Sequence, residues 1–251
     1  VSTDDADEGG RFGWSVSICG EVAIVGAPGD VGSGSSGAAY VYVHDGSVWS
    51  FQQRLMASDA DAEDSFGYSV SIDEEYIVVG AIGDDSEGLD SGSAYIFHYN
   101  GMAWVEQQKL TPMNGINGDE FGIATSLQEG VVTIGALGRG AAGSVYVFRD
   151  DGASWIEEQE LSVGWQVSLS NEVMVIGGAA ESNAPDEDTG AAYVYVFDGV
   201  SWQQEQKLIV SGASTTNGFG SSICIDGDLI IIGDPAASSA SVFRFNGTIW
   251  W

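Results

Sequence analysis

A fifteen-residue stretch, Phe66 to Gly80, constrains this chain more than anything else in it. The residues FGYSVSIDEEYIVVG read as a strand, a tight turn and a second strand. Versions begin at Phe12, Phe121, Val163 and Phe219, and each reaches a glycine fourteen residues on, at Gly26, Gly135, Gly177 and Gly233. Loops drift in length and strands do not, so a spacing kept in every copy marks a repeated structural unit. Residues 1–251 are therefore expected to form one domain of repeated units, starting near Phe12, Phe66, Phe121, Val163 and Phe219.

Each unit carries four strand-like runs. In the second these are Gly67–Ile72, Tyr76–Val79, Ser93–Tyr99 and Trp104–Leu110, here called A to D. Val, Ile, Tyr, Phe and Trp alternate with polar residues, Gly, Asp or Asn separate the runs, and no helical period is sustained. Thirty-six Gly against four Pro suits an all-β chain with many tight turns. Strand A has a bulky face (Val16 and Ile18, Val70 and Ile72) and a small one (Ser15 and Ser17, Ser69 and Ser71). Such a strand suits sheets crowded on both sides, as at the axis of a β-propeller. The expected fold is thus an all-β, five-bladed β-propeller of four-stranded antiparallel blades. Val1 falls at the leucine position of a strand D and Trp250 near the start of one. Pairing of the N- and C-terminal segments is therefore expected to close the ring.

The A–B turns are very short, and the C–D turns carry Asp45-Gly46, Asn100-Gly101, Asp151-Gly152, Asp198-Gly199 and Asn246-Gly247. Those pairs suggest type I′ turns, with positive φ at both central residues. Tyr40, Tyr95, Tyr146 and Tyr193, with Trp49, Trp104, Trp155 and Trp202, are expected to pack between blades; stacking on a carbohydrate is the alternative.

A net charge of −30, from 37 acidic and seven basic residues, repels nucleic acid and anionic lipid. Cations and basic partners fit it, as does a plain solubilising role. No run of eighteen apolar residues crosses a membrane as a helix, so direct membrane insertion is not expected. Val1 follows neither an initiator Met nor a signal-peptide pattern, which reads as a mature or truncated product. Cys19 and Cys224 lack metal-ligand spacing. Their positions along strand A differ by two residues, which disfavours a disulfide. Cys224 replaces the serine of the other units and is expected to be a small buried residue.

The pattern that runs through Phe12-Gly13, Val25-Gly26-Ala27-Pro28, Gly37–Tyr42, Phe66-Gly67 and Trp104–Leu110 resembles the FG-GAP repeat, the unit of the integrin α-subunit propeller. The resemblance covers nearly the whole chain and implies an extracellular or cell-surface, adhesion-type binding propeller. Two departures stand out. Integrin propellers hold calcium in a D-x-D-x-D-G loop between strands A and B. Here turns such as Asp73-Glu74-Glu75 are too short to wrap an ion, so that site does not transfer. Integrin propellers also have seven blades, against five units here.

In an up-and-down blade the B–C and D–A loops share one face, which is here the more acidic and more variable one. On it, Asp59, Asp61, Glu63 and Asp64 offer alternating oxygen ligands to a cation such as Ca²⁺, a solvated acidic loop being the alternative. Asp4, Asp5 and Asp7 could form a partial copy. Asp59, Asp61, Asp84, Asp85, Asp90, Asp186 and Asp188 form the expected docking face for a basic protein surface. Asn246-Gly247-Thr248 is an N-glycosylation sequon. His44 and His98 occupy equivalent positions and come with no nucleophile motif, so catalysis is not expected. Non-catalytic protein binding is the leading reading; a carbohydrate-binding lectin and a structural subunit of a larger assembly are the alternatives.

Overall fold

The computed structural model describes residues 10–29, 36–140, 142–179, 182–184, 187–188, 190–210 and 218–251, with backbone alone for 179, 182–184 and 187–188. Asp4, Asp5, Asp7 and Asp186 and the side chain of Asp188 lie outside the described residues, as does the N-terminal half of the expected terminal pairing.

Five antiparallel sheets surround one axis as a β-propeller. The first contains β1 (Ser15–Cys19), β2 (Val22–Ala27), β3 (Ala38–His44) and β4 (Trp49–Leu55), hydrogen-bonded in that order. The second repeats it with β5 (Phe66–Asp73), β6 (Tyr76–Ala81), β7 (Ser93–Tyr99) and β8 (Trp104–Leu110). The third has β9 (Phe121–Gln128), β10 (Val131–Ala136), β11 (Ser144–Asp150) and β12 (Trp155–Leu161). In the fourth, β13 (Gln166–Ser170) and β14 (Val173–Ala179) precede a small ribbon of β15 (Ser182–Ala184) and β16 (Glu187–Asp188). The blade then continues with β17 (Ala191–Phe197) and β18 (Trp202–Leu208). The fifth has β19 (Ser222–Asp226), β20 (Leu229–Asp234) and β21 (Ser239–Arg244), with Trp250 bridging back to Phe245 where a fourth strand would begin. No helix occurs among the described residues.

Packing between blades explains why the repeat looks as it does. Hydrophobic clusters lie between neighbouring sheets: Ile24, Val41 and Leu55 of the first meet Val70, Ile72, Tyr95 and Trp104 of the second. The small face of strand A is more than a hollow. Ser15 Oγ donates to the Gly67 carbonyl (2.9 Å), and Ser17 Oγ accepts the Ile72 amide (3.2 Å). Ser71 and Ser126 accept the amides of Leu127 (3.1 Å) and Leu169 (3.0 Å) in the same way. The bonds accepted by Ser17, Ser71 and Ser126 occupy inner-strand amides that no ladder partner reaches, which is why serine recurs there.

The strand-B glycine is fixed by sterics. A Cβ on Gly80 would collide with the Gly122 carbonyl of the next blade, and one on Gly26 with that of Gly67. The Phe-Gly pair locks the same junction. Phe66 is fully buried edge-on to Tyr95 and Phe97, and Gly67, at φ 93°, abuts the carbonyl of Ala38. On the outer rim, Gln108 of β8 clasps Trp155 of the next blade through both backbone groups, each bond at 2.8 Å. Gln53 and Trp104 do likewise.

Two expectations are corrected. The C–D turns are not type I′. Gly46, Gly101, Gly152, Gly199 and Gly247 have positive φ, but the preceding Asp or Asn does not. Each of those side chains instead accepts backbone amides, as Asp45 Oδ1 does from Ser47 and Val48 (both 2.9 Å), closing a loop wider than two residues. Cys224 is exposed rather than buried, and both cysteines are free thiols.

Candidate functional site

Two loops of the second blade meet on the long-loop face. The D–A loop that leads into β5 supplies Asp59, Asp61, Glu63 and Asp64; the B–C loop between β6 and β7 supplies Asp84, Asp85, Ser86 and Asp90. Together they line a cavity of about 300 Å³, bounded by Asp59, Asp61, Asp64, Asp84, Asp85 and Ser86.

Lys109, next to last in β8, organises its floor. Its ammonium lies 2.7 Å from Asp59 Oδ2 and 2.7 Å from Asp84 Oδ2 and also reaches Ser86 Oγ. The Tyr95 hydroxyl, from β7, is 2.9 Å from both carboxylates. Asp84 Oδ1 accepts from Ser93 Oγ (2.8 Å) and the Ser86 amide (3.0 Å). Burial works to raise the Asp84 pKa, but the Lys109 ammonium and the Ser86 and Ser93 hydrogen bonds outweigh it and hold the group at about 2. Burial likewise works against the charge on Asp59, and Lys109 and Tyr95 overcome it, leaving its pKa lowered.

Asp64 behaves oppositely. It is buried, accepts the Asp61 amide (2.7 Å) and feels the charges of Asp84 and Asp61. Burial pushes its pKa up to about 6. Asp119 repeats the turn in the third blade, accepting the Ile116 amide at 2.9 Å.

The expected cation site is therefore not assembled. Asp59 is engaged by Lys109, Asp64 folds back on its own loop, and Glu63 is exposed. Among the described residues no three carboxylate, histidine or cysteine side chains are placed to share a metal ion. The positive charge that these carboxylates need comes from within the chain. Asp84 does not belong to the expected docking face: it is buried and fastens the loop. Asp59, Asp61, Glu63, Asp85, Glu87 and Asp90 are the exposed acidic groups there.

Lys109 was missed because strand D reads as an ordinary polar strand. Its signal lies across the repeat. In the third blade the equivalent of Lys109 is Glu160 and the equivalent of Asp84 is Arg139, which pair at 3.4 Å, so the charges are swapped. Arg139 also reaches Asp119 at 3.3 Å.

The remaining candidates fall elsewhere. Asn246 is exposed on the opposite, short-turn face, where its side-chain oxygen accepts the amides of Thr248 and Ile249 (both 3.0 Å). His44 and His98 are on that face too; His98 is 3.6 Å from Glu75. Tyr40, Tyr95, Tyr146 and Tyr193 are buried, as are Trp104, Trp155 and Trp202, so they do not form an exposed stacking surface for a sugar.

The sequence profile of the FG-GAP repeat matches residues 1–42, 49–97, 104–148 and 202–243, leaving out most of the fourth blade, where Val163 stands for the phenylalanine. No curated protein sequence matches the chain. Among solved structures it is similar to YjhT, at 16% identity over 94% of this chain and 82% of that one, with a TM-score of 0.54. A protein described as a 6-phosphogluconolactonase from Bacteroides uniformis matches at 9% identity, over 95% and 70% of the two chains, with a TM-score of 0.64. Sqt1 from Chaetomium thermophilum matches at 12% identity, over 98% and 61%, with a TM-score of 0.55. At such identities the likeness is one of fold alone. With more than half of its residues matched in register, the chain belongs to the FG-GAP repeat family.

Proposed function

We propose that this propeller is a non-catalytic binding module that docks a basic protein surface onto the acidic long-loop face of its second blade. The observation that carries the reading is the pairing of exposed carboxylates with a rigid support. Asp59, Asp61, Glu63, Asp85, Glu87 and Asp90 face solvent, while Lys109, Asp84, Tyr95 and Ser93 tie both loops to the sheet beneath. A preordered charged surface loses little conformational entropy on docking, and its field speeds encounter with an oppositely charged partner. In this reading the setting is extracellular or cell-surface, as for the integrin propeller built from the same repeat.

One feature bears on catalysis, since Asp64 and Asp84 are carboxyls with separated pKa values in one pocket. All the lone pairs of Asp84 are already engaged by Ser86, Ser93, Tyr95 and Lys109, which leaves no oxygen free to attack or to take a proton. That supports binding over acid–base chemistry.

The test is binding of a fluorescent Lys/Arg-rich peptide, measured by anisotropy at physiological salt. Neutralising Asp61, Glu63, Asp85 and Asp90 to amides should weaken binding about 10-fold or more, each rim charge contributing roughly 0.2–1 kcal/mol. Neutralising Glu74, Glu75, Glu129 and Glu172 on the opposite face should change it little. Equal losses from the two sets would show diffuse attraction to net charge and no docking face.

A further inference from the structure

The junctions between successive blades are built alike; among the described residues, the inner strands of the first and fifth blades lack the partner half of that junction, although Tyr40 and Tyr42 of the first blade stay buried against Phe12. Val70 and Ile72 are 7% and 5% exposed against the preceding blade, whereas their equivalents Val16 and Ile18 are 69% and 62% exposed. On the fifth blade, Ile231 and Val242 are 50% and 62% exposed, where their counterparts Val78 and Ile96 in the second blade are fully buried.

The specific contacts are missing on the same faces. A Cβ on Gly80 or Gly177 would strike the backbone of the following blade, whereas one on Gly233 would meet only its own blade's Ser222. Gly67, Gly122 and Gly220 abut the preceding blade, while Gly13 has open space where a Cβ would go. Trp104, Trp155, Trp202 and Trp250 are buried and clasped by a glutamine from the blade before. Trp49 has no such clasp among the described residues and is half-buried.

From these half-junctions we infer that the gap between the fifth and first blades is a docking slot for one further four-stranded unit of this same repeat. The chemistry of both walls specifies that occupant. Ile231, Val242 and Cys224 call for the bulky strand-A face of a following unit, and Val16 and Ile18 for the small, hydroxyl-bearing face of a preceding one. A single unit of the repeat carries both faces, back to back. The two walls border the same axial cavity of about 900 Å³, which residues of all five inner strands line. A second five-bladed copy cannot enter a gap that lies inside one ring.

Cys224 reports on the slot directly. In a Cys19→Ser background, thiol labelling of the folded 251-residue chain should be fast, with the protein monomeric in solution. Appending a second copy of residues 106–161 after Trp251 completes the fifth strand D and adds one blade. Labelling of Cys224 should then slow at least 100-fold, with a rise in Tm. Gly233→Ala should leave the 251-residue chain as stable as before, yet cancel that Tm rise in the extended chain. Slow labelling in the 251-residue chain itself would overturn the inference, whether from closure of the first blade on the fifth or from a dimer. So would a folded extended chain in which Cys224 reacts as fast as before. An extended chain that does not fold would overturn it as well.

Discussion

Lys109 places a positive charge between Asp59 and Asp84, and it changes what each neighbouring carboxylate can do. Replacing it with Met leaves buried Asp84 without its counter-charge and should cost about 2–4 kcal/mol in urea denaturation at pH 7. Asp84→Asn on that background should recover much of the loss, because the two groups act as one unit. Asp64 predicts the opposite sign. Its folded pKa of about 6 lies above the ordinary 3.8, so the folded chain holds that proton more tightly than the unfolded chain. The stability this contributes is present below the unfolded value and is lost as pH rises through about 6. Asp64→Asn should therefore stabilise the protein by about 1–3 kcal/mol at pH 7.5 and by almost nothing near pH 3.5. An equal effect at both pH values would show that the shift is absent. The acidic run itself was legible in the sequence. Its internal counter-ion was not, because Lys109 is distant from Asp59 along the chain and only folding β8 beside β7 joins them.

Strands are the scale at which sequence was most informative. In the second blade, β7 and β8 span the runs read from alternation alone, and β5 and β6 differ only at their ends, where fraying leaves residue-level bounds loose. The reason is physical: each strand buries one face against a neighbouring blade, so alternation is enforced at every position. The turns were less legible. An Asp-Gly pair is compatible with several geometries, and the Asx hydrogen bonds of Asp45 select one that the dipeptide does not specify. The strand-B glycine shows how an element's sequence can be fixed by its neighbour. Gly80→Ala places a methyl group against the Gly122 carbonyl and should cost about 3 kcal/mol or more, or prevent folding, by denaturation or expression yield. Gln108→Leu removes two bonds to Trp155 and should cost about 1–3 kcal/mol, with the loss appearing as faster hydrogen exchange at the start of β12.

The whole molecule is a propeller whose repeat specifies the junctions between blades, while in the proposed reading charge and loops determine what it meets. Ring architecture was legible because the same spacing recurs in every unit. The expected terminal pairing is not decided by that spacing: its N-terminal half lies outside the described residues, and Val16 and Val242 are exposed although they look like every other copy in sequence. With a net charge of −30 the folded chain repels itself, so added NaCl should raise Tm through screening. Binding to a basic partner should weaken over the same range. The role of the acidic face is tested most directly by carbodiimide cross-linking of the chain to a lysine-rich protein, with the adducts mapped by mass spectrometry. Adducts should concentrate at Asp61, Glu63, Asp85 and Asp90 on the long-loop face. Adducts spread evenly over both faces, or gathered at Glu74, Glu75 and Glu129, would contradict docking through the second blade's loops.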